Sequence, residues 1–236
     1  MSQMKDIPIK NPEFLELLED CRKILTDDIE EFVKNNHLHC EHQTDKESRD
    51  KWMSEDYLRY IVDVEGDQHE GFPDHLVGYS FKPHQLKHNA FSEYARKNNP
   101  EYPLKMLKRI TECNHKLVNF LGAKNSALFC FYPPGGYISW HNNANACAYN
   151  LICTWSETGD GWFKYRNPDN GEIVTLHDEK GWQCKAGYFG GYRERDKLLY
   201  HAAQSDCWRL TVSFIWDHRE SSETLQEDLV YEISSE

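Results

Sequence analysis

Residues 131–143, FYPPGGYISWHNN, contain a turn followed by a strand and predict the fold of the region around them. The Gly135–Gly136 pair favours a tight turn, and the residues after it are rich in aromatic and β-branched side chains. Side chains alternate between the two faces of a strand. One face is therefore expected to carry the residues at odd positions: Tyr137, Ser139, His141 and Asn143.

Segments of the same character continue to residue 216. Turn signals separate them, among them Thr158–Gly161 and Asn167–Gly171, where Asp-Gly and Asn-Gly tolerate a positive φ. We predict strands near 127–132, 137–143, 148–155, 161–166, 172–177, 182–189, 197–202 and 209–216. Eight strands close well into a small barrel or a jelly roll.

The chain before Lys124 has the apolar spacing of helices. We predict four helices, which begin after Asn11, after Ser54, near Pro83 and at Pro103. Gly122 ends the fourth helix, and its apolar stripe is expected to cover a sheet. The prediction is an α+β protein with an N-terminal helical region at 1–124, a jelly-roll core at 125–218 and an acidic tail at 219–236, either a short helix or irregular.

Composition narrows the class of protein. The chain has 236 residues and a formal net charge of -12, which disfavours nucleic acid as a partner because phosphates are repelled. No apolar run approaches the roughly 20 residues that span a bilayer, and the first ten residues lack the apolar core of a secretion signal. The eight cysteines are scattered without a CxxC motif, as expected for reduced thiols. We therefore expect a cytoplasmic protein that does not bind membranes.

The last predicted strand has one polar and one apolar face. Arg209, Thr211 and Ser213 alternate with Leu210, Val212, Phe214 and Trp216. The apolar face is expected to hold the N-terminal helices. An arginine on the opposite, inward face requires an anion, since an uncompensated buried charge is costly. A ligand carboxylate is the predicted partner, and an internal Asp or Glu is the alternative.

Together these residues resemble the Fe(II)/2-oxoglutarate-dependent dioxygenase superfamily. The residues that carry the resemblance are the Tyr132 to Asn143 stretch, His201 and the Arg209-x-Thr211 pair, and they are similar to the prolyl 4-hydroxylase-like branch, including phage-borne and marine metagenomic members. The resemblance implies a double-stranded β-helix core and covers about residues 129–216. It matches nothing in the first 124 residues.

The resemblance also implies the roles of individual residues. His141, Asn143 and His201 would be the catalytic metal ligands, with Asn143 in the place of the usual Asp. Arg209 and Thr211 would hold the far carboxylate of 2-oxoglutarate, Tyr132 would hydrogen-bond this co-substrate, and Tyr149 is a weaker candidate for the same pocket. With Fe(II), 2-oxoglutarate and molecular oxygen, the implied activity is oxidation of a substrate, most simply hydroxylation. The primary substrate is not indicated.

Asn143 opens alternatives to this function. An amide oxygen coordinates Fe(II) but adds no negative charge, so metal affinity should be lower than with a carboxylate. Three alternatives remain. The protein could be a halogenase of the same superfamily, a protein that binds metal or carboxylate without turnover, or a structural jelly roll.

Three other segments have weaker chemical signals. The segment His37–His42 resembles a metal tract but reads as a solvated loop, and His177–Glu179 mimics a His-x-carboxylate pair without the surrounding motif. The charged run Arg193–Asp196 is expected to be a solvated loop, with a substrate lid as the alternative.

Overall fold

Eight strands follow residue 124 in a computed structural model of the chain, which describes residues 4–25, 27, 46–66, 71, 73–80, 101–144, 146–217 and 222–236. These strands are β4 Asn125–Tyr132, β5 Gly136–His141, β6 Ala148–Ser156, β7 Gly161–Arg166, β8 Ile173–His177, β9 Gly181–Phe189, β10 His201–Ser205 and β11 Arg209–Asp217. Their positions confirm the predicted segments except at β10. The prediction of a strand at 197–202 is wrong in its bounds because Arg195–Lys197 form a 3-10 turn and Leu198 bridges to Gly190 instead.

The N-terminal region is less purely helical than predicted. It contributes three short strands to the sheets, β1 Lys5–Ile7, β2 Leu76–Val77 and β3 Tyr79–Ser80. The helices described are α1 Pro12–Ile24, α2 Lys46–Trp52, α3 Glu55–Arg59, α4 Glu101–Leu121 and α5 Glu223–Ser234, with a π-helical turn at Tyr60–Glu65. The helix predicted near Pro83 lies outside the described residues. The acidic tail forms α5.

The helix ends follow from local sequence. The side chain of Asn11 accepts from the backbone N–H groups of Glu13 and Phe14, and Ser54 accepts from that of Tyr57, so both predicted caps are confirmed. Gly122 follows α4 with a φ of 58°, a conformation that glycine adopts without steric cost.

The strands form two antiparallel sheets that pack face to face. The larger sheet has the order β1-β9-β6-β11-β4-β3 and the smaller one β2-β5-β10-β7-β8. Consecutive strands from β4 to β7 lie in alternate sheets, and the turn at Pro133–Gly136 carries the chain from one sheet to the other. Gly135 there has a φ of 80°, and a Cβ on Gly136 would lie 2.8 Å from the carbonyl oxygen of Pro133, so this crossing requires glycine.

Helices cover the outer face of the larger sheet. Phe14 and Leu18 of α1 and Leu117 of α4 are fully buried against the outward side chains of β11, which include Leu210 and Val212. This confirms the predicted polarity of the last strand and the supporting role of these helices. A smaller apolar cluster around Trp140, Tyr57 and Ile61 covers the outer face of the smaller sheet.

The inner faces enclose a second core and a cavity. The confirmed architecture is thus an α+β fold with two packed antiparallel sheets. Within the ranges described, no helix combines the length and the apolar character needed to cross a membrane.

Candidate active site

The two histidines of the predicted site lie side by side on neighbouring strands. His141 is the last residue of β5 and His201 the first of β10, and the ladder between these strands pairs them directly. The centroids of the two rings are 4.1 Å apart, with 51° between the ring planes. Both residues are buried and line one cavity between the sheets. Residues sixty positions apart in the sequence are therefore brought into contact.

Backbone hydrogen bonds determine which ring nitrogen of each histidine is protonated. Nδ1 of His141 is 2.8 Å from the carbonyl oxygen of Ser139, and Nδ1 of His201 is 3.1 Å from that of Leu199. A carbonyl oxygen only accepts, so each Nδ1 must donate. The lone pair of each ring is then on Nε2, and a backbone carbonyl on Nδ1 is the usual way in which a metal-binding histidine is oriented.

His201 is neutral at physiological pH. Burial disfavours the imidazolium and lowers the pKa of His201 to about 4, while the hydrogen bond to Leu199 opposes the shift. The rings of Phe163 and Phe189 have centroids 5.7 Å and 5.0 Å from that of His201 and shield it from water. Metal coordination requires the neutral imidazole, so the surroundings keep His201 in the form needed.

Asn143 lines the same cavity as the two histidines. It lies in a tight loop in which the backbone N–H of Ala144 donates to Oδ1 of Asn142 at 2.7 Å. Ala144 has a φ of 51°, a left-handed conformation that costs a non-glycine residue on the order of 1 kcal/mol. The fold thus maintains an unfavourable backbone conformation directly after Asn143.

The predicted alternation along β5 is wrong in part. His141 and, just beyond the strand, Asn143 line the cavity, but the other β5 residue that does so is Ile138 and not Ser139. The reason is a β-bulge, because His201 pairs with His141 while Ala203 pairs with Ile138, which leaves one extra residue on β5. Ser139 instead accepts a hydrogen bond from the backbone N–H of His75 at 3.1 Å.

The cavity extends from the histidines to Arg209. Its volume is about 100 Å³, several times the roughly 10–15 Å³ that admits one water by the same kind of measure. Its apolar walls include Leu128, Ile138, Ile152, Phe163 and Phe189, and its polar lining includes Asn143, Asn150, Thr211 and Ser213. It is large enough for a small organic molecule.

Arg209 is paired with an internal carboxylate. Its Nε donates to Oδ2 of Asp178 at 2.7 Å, and its Nη2 lies 3.4 Å from Oδ1. The two side chains are only 2% and 3% exposed. The alternative of an internal acidic partner is therefore the one found, and a ligand carboxylate is not needed to neutralise the guanidinium.

Thr211 and Tyr132 surround the other side of the guanidinium. Nη1 of Arg209 donates to Oγ1 of Thr211 at 2.6 Å, and Cζ of Arg209 is 5.5 Å from the ring centroid of Tyr132, within cation–π range. Burial raises the pKa of Tyr132 well above its usual value, so its phenol stays protonated. Both residues line the cavity as predicted.

Tyr149 is not in this pocket, and its prediction as a pocket residue is wrong. It belongs to the helix-facing core of the larger sheet, where its ring lies 6.3 Å from that of Trp216. Strand alternation places Asn150 of β6 in the cavity instead. The sequence carried no signal for which of these neighbours faces inward, because both faces of β6 are buried.

Asp178 is the residue at this site that the sequence did not reveal. His177 and Glu179 on either side of it are exposed, so the His-x-carboxylate reading of this segment is not supported. The segment His37–His42 lies outside the described residues. In the Arg193–Asp196 run, Glu194 accepts a hydrogen bond from the hydroxyl of Tyr188 at 2.7 Å, and the other three residues are exposed.

The donor set of the site is two histidines and an amide. In the part of the chain that the structure describes, no group of three or more His, Cys, Asp or Glu side chains is arranged to hold a metal ion. No protein-family model matches the chain, and no curated protein sequence is significantly similar to it.

Proposed function

We propose that the protein is an Fe(II)/2-oxoglutarate-dependent oxygenase, acting as a hydroxylase. The observation that carries the proposal is the pair His141 and His201, which line one small cavity side by side, each with its Nδ1 proton on a backbone carbonyl so that Nε2 is the ring nitrogen that carries the lone pair. Arg209 and Thr211 line the same cavity. A single 2-oxo acid would then reach both ends of the cavity, where it would chelate a metal at the histidines and place its far carboxylate at Arg209 and Thr211.

The strand order supports assignment of the core to the double-stranded β-helix class. The central strands are β9-β6-β11-β4 in one sheet and β5-β10-β7-β8 in the other. A double-stranded β-helix has this alternation of consecutive strands between two antiparallel sheets. In that fold the metal ligands lie where the second and seventh core strands meet, which here are β5 and β10.

The residues present fit a divalent transition metal. Neutral imidazoles bind Fe(II), Co(II), Ni(II) and Zn(II), and an amide oxygen is an acceptable third donor for Fe(II). Asn143 is the residue that would supply it. Three neutral ligands leave both positive charges of the ion uncompensated, so the ion would favour a dianionic ligand such as 2-oxoglutarate.

The other end of the cavity offers donors to a carboxylate. The four hydrogen bonds of Arg209 to Asp178, Thr211 and Thr154 leave one of its five N–H groups, on Nη1, to donate to a ligand. The hydroxyl of Thr211 is a further donor, and the protonated phenol of Tyr132, which is hydrogen-bonded to Cys130, lines the same end of the cavity. These groups would orient the co-substrate.

The chain's own share of the chemistry is orientation and exclusion of water. The apolar walls around the histidines keep solvent away, which strengthens polar interactions inside and limits side reactions. Bound together, Fe(II) and 2-oxoglutarate would supply the oxidative decarboxylation that activates oxygen for attack on the substrate.

The test is metal and co-substrate binding followed by turnover. Anaerobic calorimetry should show Fe(II) binding that tightens at least about tenfold when 2-oxoglutarate is present. The His141→Ala, His201→Ala double variant should lose this binding, and His177→Ala, at an exposed histidine, is the matched control. Admission of oxygen should convert 2-oxoglutarate to succinate in the wild type and in the His177→Ala control, but not in the double variant. Unchanged Fe(II) affinity in the double variant would contradict the proposal.

A binding protein without turnover is the second candidate. The observation that favours it is that none of the cavity-lining residues described here is an Asp or a Glu, so the cavity offers a metal no carboxylate ligand. Such a protein would bind Fe(II) and 2-oxoglutarate together and yield no succinate in oxygen.

A further inference from the structure

Asp178 occupies a site shaped for its carboxylate. It follows β8, is buried, and its backbone N–H donates to the carbonyl oxygen of Gly161 at 2.9 Å. A Cβ on Gly161 would lie 2.4 Å from Oδ2 of Asp178, so the absence of a side chain at Gly161 makes room for this oxygen. The neighbouring strand thus accommodates the carboxylate closely.

Both oxygens of this carboxylate are bound. Oδ2 accepts from Nε of Arg209 at 2.7 Å, and Oδ1 accepts from Nη2 of Arg209 at 3.4 Å and from Nε2 of Gln183 at 3.3 Å. The pair is bidentate, a geometry that specifies orientation as well as energy. Asp178 therefore fixes the orientation of the guanidinium. The edge with Nε and Nη2 faces Asp178, and Nη1 is the nitrogen that would face a ligand in the cavity.

The pairing has a second consequence, for charge. A carboxylate entering the cavity meets a guanidinium whose positive charge is already offset by Asp178 at hydrogen-bond distance. The attraction between Arg209 and the ligand is correspondingly weaker than for an uncompensated arginine. A ligand held only at this end would bind poorly, whereas one that also chelates a metal at the histidines would be retained.

We propose that Asp178, as the internal counter-ion of Arg209, is a positioning residue that lowers the affinity of the cavity for carboxylates in general. A chelating 2-oxo acid is still retained through the metal, whereas a non-chelating dicarboxylate such as succinate is released. This inference rests on the proposed function for the identity of the ligand. The charge compensation itself is independent of it.

The experiment measures dicarboxylate binding in the Asp178→Asn variant, which removes the charge and keeps the shape. Succinate affinity of the metal-free protein, and 2-oxoglutarate affinity of the Mn(II)-loaded protein, should each rise about tenfold or more relative to wild type. Thr154→Val is the control, since it removes a neutral acceptor 3.5 Å from Nη2 of Arg209 without a change of charge. Its effect on succinate affinity should be far smaller.

Asp178→Asn affinities within twofold of wild type, or weaker, would overturn the inference. If this variant does not fold, the succinate affinity of the metal-free wild type tests the inference instead. Metal-free wild type should bind succinate with a Kd above ~10 mM, and tighter binding that Arg209→Met abolishes would show that Arg209 is not compensated.

The outcomes separate the two proposals. Wild type that binds no 2-oxoglutarate in the presence of metal contradicts the proposed function alone. In that case a gain of succinate affinity in Asp178→Asn would still support the counter-ion role of Asp178. Conversely, the wild type could bind 2-oxoglutarate tightly while Asp178→Asn shows no gain in carboxylate affinity. That result would support the proposed function and contradict the role of Asp178.

Discussion

Acidification should destabilise the metal-free protein through His201. The folded protein lowers the pKa of His201 to about 4, against about 6.5 for an unfolded chain. The unfolded state therefore binds the proton more strongly. The stability contributed by the neutral, buried ring is fully present above pH 6.5 and is lost as the pH falls from there towards 4.

The size of the effect follows from the two pKa values. Linkage predicts a loss of about 2 kcal/mol in the free energy of unfolding at pH 5 and about 3 kcal/mol at pH 4. For a chain of this length, 1 kcal/mol corresponds to roughly 2–4 °C in Tm, so the loss at pH 5 is about 4–8 °C.

Thermal unfolding with a chelator present, at several pH values from 7.5 to 4.5, measures this loss. The His201→Gln variant keeps an amide donor for Leu199 and removes the titrating ring, so its Tm should fall less steeply with pH than that of the wild type. Burial also lowers the pKa of His75, which contributes with the same sign in both proteins. His177→Gln, at an exposed position, should retain the wild-type slope. An equal fall in Tm for His201→Gln and wild type would refute the reasoning.

Three further substitutions test the site. Asn143→Asp should tighten metal binding at least about tenfold by calorimetry, since the interaction of a carboxylate charge with a divalent ion at ~2.1 Å and an effective dielectric of ~20 has an upper limit on the order of 16 kcal/mol. Unchanged metal affinity with lower stability would exclude Asn143 as a ligand. Arg209→Leu should cost about 3–5 kcal/mol in urea unfolding because Asp178 is left buried and uncompensated, and adding Asp178→Leu should restore much of it. Gly161→Ala should cost roughly 1–3 kcal/mol in the same assay, because the new Cβ meets the Asp178 carboxylate.

Much of the fold could be predicted from local patterns. The strands after residue 124, the caps at Asn11 and Ser54 and the end of α4 at Gly122 all depend on neighbours within a few positions. The faces of β11 were predicted for the same reason, since alternation is a property of the strand itself.

The site was predictable only where the motif is regular. His141, His201, Arg209 and Thr211 line one cavity, as the family resemblance implied, whereas the β-bulge in β5 brought Ile138 into it in place of Ser139. A bulge depends on the partner strand and has no local signature in this sequence.

The sequence by itself determined most of the strands after residue 124, the capped ends of the helices, and which side chains have the chemistry of a metal site. Only the tertiary structure decided that Tyr149 faces the helices and that Asp178 neutralises Arg209 from 31 positions away. The physical reason is that hydrophobic periodicity acts along the chain, whereas the partner of a buried charge depends on tertiary packing, here on how the segment after β8 of one sheet lies against β11 of the other.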